Sequence, residues 1–177
     1  MPLSKDEILE VVRQVTEDFE TYEHRNQLSL IVSKEKLIEV AKILKSDERT
    51  KFDMLTDITA IDWYDRKKPR FEVVFFLYSN PYKSRIRLKV PIEENDTHCP
   101  SVTSIWESAN WYERETWDMY GIVFDNHPFL RRFYMPEDFN DPESGEPLHP
   151  LRKDFPLMGI PGSLPLPPYP ERDGEVQ

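Results

Sequence analysis

Glycine and proline are distributed unevenly along this chain, and their placement limits where regular secondary structure can form. All five glycines lie at or after Gly121, and eleven of the sixteen prolines lie at or after Pro128. Because no glycine precedes Gly121, the first part of the chain cannot form the Gly-rich phosphate loops of Rossmann and P-loop nucleotide sites. The pattern predicts a regular domain over residues 1–125 and an extended Pro-rich arm over 126–177.

Two helices are indicated near the N-terminus. Ser4 and Glu7 have the spacing of a capping box, in which each side chain satisfies a backbone N–H at a helix start. Ser33 is placed to cap a second helix. The apolar faces at helical spacing comprise Ile8, Val11, Val12, Val15 and Phe19 in the first helix and Leu37, Val40, Ala41 and Leu44 in the second.

Four segments carry strand patterns: 28–32, a run that starts at Phe52, 71–79 and 84–92. Residues 80–83 (Asn-Pro-Tyr-Lys) suit a hairpin turn between the last two. The last of these alternates cleanly, which places Ile86, Leu88 and Val90 on a buried face and Arg85, Arg87 and Lys89 on a basic, solvent-facing stripe. The order of helices and strands and the short connections favour an α+β fold. We expect a small mixed or antiparallel sheet with helices packed on it, followed by the extended arm.

Composition and charge exclude several classes of protein. The formal net charge is −10, so the surface repels the phosphates of nucleic acids and anionic lipids. The longest apolar run, 73–78, is too short to span a bilayer, which needs about 20 residues. The N-terminus lacks the basic and apolar regions of a signal peptide. These features predict a cytoplasmic protein with no direct membrane insertion and no nucleic-acid partner.

Cys99 is the single cysteine of the chain. It permits no internal disulfide, and it cannot by itself supply the four thiolates that an iron–sulfur cluster normally takes. We expect Cys99 to be buried and inert.

The segment WYERETWDMYG, 111–121, combines aromatic residues with charges of both signs. A helical pattern runs from Ser101 as a cap to Gly121 as a stop, and within it Arg114 and Asp118 are spaced for a local ion pair. Glu113 and Glu115 point away from each other on such a helix, whereas Glu115 and Asp118 share a face where a carboxylate pair could perform acid–base chemistry. No nucleophile, metal set or Gly-rich loop accompanies that pair.

The Pro-rich arm keeps many large apolar residues, which a disordered tail usually lacks. Proline reduces the entropy that such an arm loses on ordering, so an extended arm can bind a partner at a reduced cost. His127 and His149 each precede a proline in this arm. Two isolated loop histidines are more often hydrogen-bonded than metal-bound, and we expect no metal site.

The chain resembles the C subunit of the proton-pumping NADH:quinone oxidoreductase, respiratory complex I. Two ordered motifs carry the resemblance. The first comprises Glu113, Arg114, Glu115, Asp118, Met119, Tyr120, Gly121, His127, Pro128, Leu130, Arg131 and Arg132; the second runs from Pro150 to Phe155 and includes Arg152, Lys153 and Asp154. Two departures from the family pattern are Phe139, where a Trp is usual, and the inserted residues 140–149.

This resemblance implies a structural subunit of the peripheral arm with no catalytic site and no cofactor of its own. FMN, iron–sulfur clusters and quinone would belong to partner subunits. The implied main partner is the D subunit, which forms much of the quinone site, with the B and I subunits nearby, at the cytoplasmic face of the cell membrane. The charged residues of both motifs would contribute to the partner interface, and Arg131, Arg132, Arg152 and Lys153 would meet acidic or backbone acceptors on the quinone-site subunit.

Other functions are compatible with the same residues. Relatives of this family occur in ferredoxin- or F420-fed quinone reductases and in membrane-bound hydrogenases, and the electron donor is chosen by other subunits. A different class altogether is an independent soluble enzyme that uses Glu115, Asp118 and His127 for acid–base chemistry.

Overall fold

Helices and strands follow one another closely in the N-terminal two thirds of the computed structural model, which describes residues 2–156. The elements, in chain order, are α1 (Lys5–Arg13), β1 (Phe19–His24), β2 (Gln27–Val32), α2 (Leu37–Ser46), β3 (Met54–Asp62), a 3-10 turn (Tyr64–Arg66), β4 (Phe71–Ser79), β5 (Ser84–Ile92), β6 (His98–Pro100), α3 (Ala109–Tyr120) and β7 (Val123–Asp125). The predicted α+β class is confirmed.

Strands β1 to β5 form one mixed sheet in the spatial order β1-β2-β5-β4-β3. Strands β2 and β5 are parallel, and the remaining neighbours are antiparallel. Strands β6 and β7 form a separate parallel pair. The apolar faces of α1 and α2 are buried together with one face of the five-stranded sheet, where Leu30, Phe75 and Leu88 lie at the centre of the core. Among the described helices, none is both long and apolar enough to cross a membrane.

Local sequence signals predicted several elements correctly. The capping box is present, since the Ser4 side chain accepts from the Glu7 N–H and the Glu7 side chain accepts from the Ser4 N–H. Gly121 ends α3 in the left-handed region, with φ 77°. The buried face of α2, the β4–β5 hairpin and the burial of Cys99 also agree with expectation. Burial raises the pKa of the Cys99 thiol well above its usual range.

The predicted helix boundaries were wrong in three places. Helix α1 ends at Arg13, and Phe19 instead begins the unpredicted strand β1. Helix α2 begins at Leu37, so Ser33 does not cap it. Helix α3 begins at Ala109 rather than after Ser101, since residues 103–105 and 107–108 form turns and the N–H of Val102 is bound by the Glu113 side chain. The division at residue 125 coincides with the end of β7 and stays a prediction, and residues 157–177 of the arm lie outside the described residues.

Candidate partner interface at the end of helix α3

Helix α3 lies along the outer edge of the sheet, beside strand β3. The Ser108 hydroxyl donates to the Leu55 carbonyl at 3.3 Å, and the Thr116 hydroxyl donates to the Ile58 carbonyl at 3.1 Å. These bonds satisfy carbonyls of an edge strand that would otherwise be open to another chain. One face of α3 therefore packs against β3. Other α3 side chains contact residues 131–135, a returning segment that crosses back over the helix.

Asp118 binds three successive backbone N–H groups of that returning segment. Its Oδ2 accepts from Phe133 at 3.0 Å, from Tyr134 at 2.8 Å and from Met135 at 2.8 Å, while Oδ1 accepts from the Arg132 guanidinium at 2.7 Å. Burial opposes ionisation of this fully buried carboxyl. The three N–H groups and the guanidinium outweigh burial and hold the pKa of Asp118 below its usual value.

Arg132 connects the helix to two further parts of the arm. Besides Asp118, its guanidinium donates to the Phe139 carbonyl at 2.9 Å and to the Leu148 carbonyl at 3.3 Å. It also lies 5.9 Å from the ring centres of Trp117 and Phe139. Arg132 is 9% exposed, so this network organises the arm from inside the protein.

Arg114 does not form the predicted ion pair with Asp118. Its guanidinium donates instead to the carbonyls of Arg131 at 3.2 Å and Arg132 at 3.1 Å. The prediction was wrong because Asp118 is already bound by Arg132 and by three N–H groups. Arg114 also lies 5.0 Å from the ring centre of Trp111. It thus connects α3 to the returning segment beside an exposed aromatic ring.

The last carbonyls of α3, which have no partner inside the helix, are bound by His149 and by the second motif, which follows it. His149 Nδ1 lies 3.0 Å from the Asp118 carbonyl and donates to it, the Leu151 N–H donates to the Met119 carbonyl at 3.1 Å, and the Arg152 Nε–H donates to the Tyr120 carbonyl at 2.6 Å. Because these donors replace water at the helix end, the motif fixes the direction in which the chain leaves α3.

Gly121 is required by this contact as well as by its conformation. A Cβ at Gly121 would collide with the Arg152 guanidinium and lie 2.7 Å from the His149 ring. Any other residue would also be strained at φ 77°. The glycine therefore ends the helix and admits the second motif at the same position.

The second motif is also bound to the ends of β3 and β4. Asp62 and Arg70 form a buried bidentate pair with both N–O distances at 3.0 Å. The Lys153 N–H donates to Asp62 at 2.8 Å, and Asp154 lies 2.9 Å from the Arg70 guanidinium. Sequence reasoning missed Asp62 and Arg70, although an acidic residue that ends an apolar strand was a usable signal.

Glu113 is fully buried, on the side of α3 that faces the core. Its Oε1 accepts from the Val102 N–H at 2.8 Å, and its Oε2 has no hydrogen-bond partner within residues 2–156. Burial raises the pKa of Glu113 to about 7, against the opposing effect of Ser101 and the Val102 N–H. Burial, and next the charge of Asp57, raise the pKa of half-exposed Glu115 as well.

Asp118 and His127, two of the residues considered for acid–base chemistry, each bind other groups of the chain and not one another. Both oxygens of Asp118 are bound internally, as described above. His127 accepts from the Phe129 N–H at Nδ1 and lies 3.2 Å from the Asn110 carbonyl through Nε2, and burial lowers the pKa of His127. Within the part of the chain that the structure describes, no group of three His, Cys, Asp or Glu residues could hold a metal ion.

The surface above this internal network is aromatic. Trp111, Phe133 and Tyr134, here termed the aromatic ledge, are 53%, 42% and 56% exposed. The ring centres of Trp111 and Phe133 are 5.2 Å apart, and those of Phe133 and Tyr134 are 4.5 Å apart. A contiguous exposed aromatic surface is typical of interaction sites. The predicted pairing of Arg131, Arg132, Arg152 and Lys153 with a partner protein stays a prediction.

Comparison with known proteins identifies the family of the chain. A family model described as the 30 Kd subunit of the respiratory-chain NADH dehydrogenase matches residues 30–161, which begin within β2 and include α3 and both motifs. The chain belongs to this family. The resemblance stated from the two motifs is therefore confirmed.

Curated relatives cover most of the chain. The C subunit of NADH-quinone oxidoreductase from Geotalea uraniireducens (strain Rf4) is 44% identical over 140 residues, which cover 79% of each chain. The protein of the same name from Roseiflexus sp. (strain RS-1) is 42% identical over 159 residues, which cover 89% of this chain and 87% of the relative.

Two solved structures share the fold. A trypsin-resistant fragment (1-134) of Nqo5 aligns with a TM-score of 0.59 and 30% identity, covering 71% of this chain and 98% of the fragment. A chain in the structure of the membrane-bound sulfane sulfur reductase, an archaeal respiratory membrane complex, aligns with a TM-score of 0.67 and 28% identity, covering 86% and 85%. The family fold thus occurs in more than one kind of respiratory complex.

Proposed function

We propose that this chain is a structural subunit of the peripheral arm of a proton-translocating NADH:quinone oxidoreductase. The observation that carries the proposal is the family match, which spans α3 and the returning segment, together with relatives named as the C subunit of that enzyme. In this role the protein supports electron transfer from NADH, through FMN and iron–sulfur clusters, to quinone. It lies at the cytoplasmic face of the cell membrane and is held there by the complex.

The cofactors belong to the partner subunits in this proposal. The charged groups of the motifs support it, because Arg114, Asp118 and Arg132 use their hydrogen-bonding capacity on the chain itself. Groups bound in this way are poorly placed to ligate a cluster or to exchange protons with a quinone. Their role is to hold the aromatic ledge in one conformation.

The aromatic ledge is the proposed contact with the quinone-site subunit, and the B and I subunits are the further neighbours. Large aromatic side chains dominate binding energy at interfaces because they bury much apolar area and lose little conformational entropy. Phe129, which is 58% exposed and whose ring centre lies 4.5 Å from the Arg131 guanidinium, is a further exposed aromatic residue of the segment that leads to the ledge. A surface fixed in advance binds at a lower entropic cost.

Co-purification of variant chains with the quinone-site subunit tests the proposal. We expect Trp111→Ala with Tyr134→Ala to lower the amount of this chain that co-purifies with the quinone-site subunit from membranes, with the isolated chain still folded. Met54→Ala is the matched control, since Met54 is a 46% exposed apolar residue at the start of β3. Full co-purification of the double variant would contradict docking through the aromatic ledge. Absence of the unaltered chain from the purified complex would contradict the proposed function itself.

A second candidate places the chain in a complex that is not fed by NADH. The likeness to a chain of an archaeal respiratory complex of another kind, a membrane-bound sulfane sulfur reductase, supports this alternative. The candidate complexes are a ferredoxin- or F420-fed quinone reductase and a membrane-bound hydrogenase. The genes adjacent to this one distinguish the two, because flavin-bearing NADH-module genes beside it favour NADH and their absence favours another donor. Turnover of a substrate by the isolated chain would instead favour an independent enzyme.

A further inference from the structure

The five-stranded sheet has a second face, opposite the helices α1 and α2. Strand alternation and register place Arg87 on this face, next to Ser29 on one side and Phe76 on the other, while Leu88 and Phe75 point into the core. We term it the open face. It is distinct from the aromatic ledge, which belongs to α3 and the returning segment.

A basic row follows the central strand of the open face. Arg85 lies 5.4 Å from the ring centre of Tyr78, and Arg87 lies 5.7 Å from that of Phe76. Lys89 is paired with Glu72 at 3.1 Å. Neither Arg85 nor Arg87 forms an ion pair within residues 2–156, although Arg87 donates to the Gln27 side chain.

One acidic group of the open face, Glu72 on the inner strand β4, is paired with Lys89, and the other acidic groups of this face lie on the outer strands. The register puts Glu20 on β1 and Asp57 on β3, at either side of the sheet. In a chain with net charge −10, the unpaired cations of the open face are therefore confined to the width of one strand. A ligand that complements them is narrow and follows β5.

Two further features of the open face lie beside this basic row. Ser29 is 0% exposed, and its hydroxyl has no hydrogen-bond partner in the described part of the chain. It lies directly beside Arg87 in the register. A groove also opens here, and Gln27, Thr56, Phe76, Arg85 and Arg87 are among the residues that line it.

We propose that the open face binds an acidic, extended segment of a neighbouring protein of the complex, with carboxylates at alternate positions. Side chains two residues apart on a strand are separated by about 7 Å, so Arg85 and Arg87 match alternate carboxylates of an extended chain. A guanidinium group near an aromatic ring can still bind a carboxylate bidentately through its planar donors; Arg87 would have to exchange its bond to Gln27 for such a contact. The net charge of −10 repels every anionic ligand, but it repels a polyanion such as nucleic acid or an anionic membrane more strongly than a short segment with a few carboxylates.

Photo-cross-linking in the assembled complex tests this inference, which rests on the proposed function because it requires a neighbouring protein. p-Benzoylphenylalanine in place of Tyr78 samples the open face, and the cross-linked peptide is identified by mass spectrometry. We expect an Asp- and Glu-rich segment of another protein of the complex. A cross-link to lipid, a cross-link to a segment without acidic residues, or no cross-link in a complex that contains this chain would overturn the inference and leave the proposed function standing.

Charge reversal gives an independent measurement. We expect Arg85→Glu with Arg87→Glu to release this chain from immobilised complex about tenfold faster in low salt, since two charge-assisted contacts become repulsive. Arg13→Glu with Lys42→Glu changes the net charge equally at exposed sites of α1 and α2, and we expect no change in release. Equal release of both double variants would overturn the proposal.

Discussion

Asp118 and Arg132 form a buried ion pair, with 2.7 Å between Oδ1 and the guanidinium nitrogen, that joins the last turn of α3 to the arm. The other carboxylate oxygen accepts hydrogen bonds from the N–H groups of residues 133–135, which directly follow Arg132 in the sequence. One carboxylate thus orders both the side chain and the backbone of the segment that carries the aromatic ledge. The surface proposed to meet the quinone-site subunit depends on a charge that is itself inaccessible.

Asp118→Asn should destabilise the fold by about 3–5 kcal/mol, because Arg132 would remain buried without its counter-charge. Urea unfolding measures the loss, and we expect faster trypsin cleavage after Arg131 and Arg132. Asp141→Asn is the control, since Asp141 also accepts two backbone N–H groups but in an exposed turn. Equal stability losses for the two variants would contradict the importance of the buried pair.

Gly121→Ala should cost more than Gly145→Ala. Both glycines have positive φ, 77° and 73°, so each substitution carries a backbone strain of about 1 kcal/mol. A Cβ at Gly145 meets no atom within 4 Å, whereas a Cβ at Gly121 meets Arg152 and His149. We expect a further loss of about 1–3 kcal/mol for Gly121→Ala from overpacking.

Thermal unfolding of both glycine variants measures the difference, and trypsin cleavage after Arg152 reports whether the second motif has detached. If Gly121→Ala unfolds at the same temperature as Gly145→Ala and resists cleavage, then the close contact with the motif does not matter to stability.

The sequence patterns correctly predicted those features of the fold that depend on interactions between neighbouring residues. The Ser4–Glu7 capping box and the β4–β5 hairpin each depend on residues close in sequence, and both were foreseen. Strand β1 was missed because its sequence FETYEH is an exposed edge strand without apolar alternation, joined to β2 by Arg25 and Asn26 rather than by glycine. Polar edge strands carry little sequence signal.

The candidate site was foreseen as a set of residues but not as a set of contacts. The motif residues Arg114, Asp118 and Arg132 do meet, yet the expected pairing was the one that helical spacing suggests. The actual acceptors of Arg114 are backbone carbonyls 17 and 18 residues away. The bond from the Lys153 N–H to Asp62 spans 91 residues. Tertiary contacts of this kind have no periodic signature in the sequence.

Glu113 predicts a specific pH dependence of stability. Its pKa is about 7 in the folded protein, above the usual value for glutamate, so the folded state binds the proton more tightly than the unfolded state. This contribution is fully present below about pH 4.5 and is lost as the pH rises through 7. The loss amounts to about 3 kcal/mol over that interval.

Glu113→Gln should remove this dependence, because a neutral amide keeps the acceptor for the Val102 N–H and has no charge to bury. We expect the variant to match the unaltered protein near pH 5 and to exceed it in unfolding temperature at pH 8. Parallel melting curves of both proteins across pH 5–8, with a constant difference between them, would show that Glu113 is not protonated in the fold.

Asp62 and Asp154 both pair with Arg70, but only Asp62 is buried: their side chains are 1% and 42% exposed. Asp62→Ala leaves Arg70 short of its bidentate partner and deprives the N–H groups of Tyr64 and Lys153 of their acceptor. We expect a loss of about 3–5 kcal/mol, together with rapid trypsin cleavage after Lys153.

Asp154→Ala removes an exposed pair, and we expect a loss below about 1 kcal/mol. Urea unfolding of the two variants makes the comparison, and a larger loss for Asp154→Ala would mean that the second motif is held by its surface charges rather than by the buried end of β3.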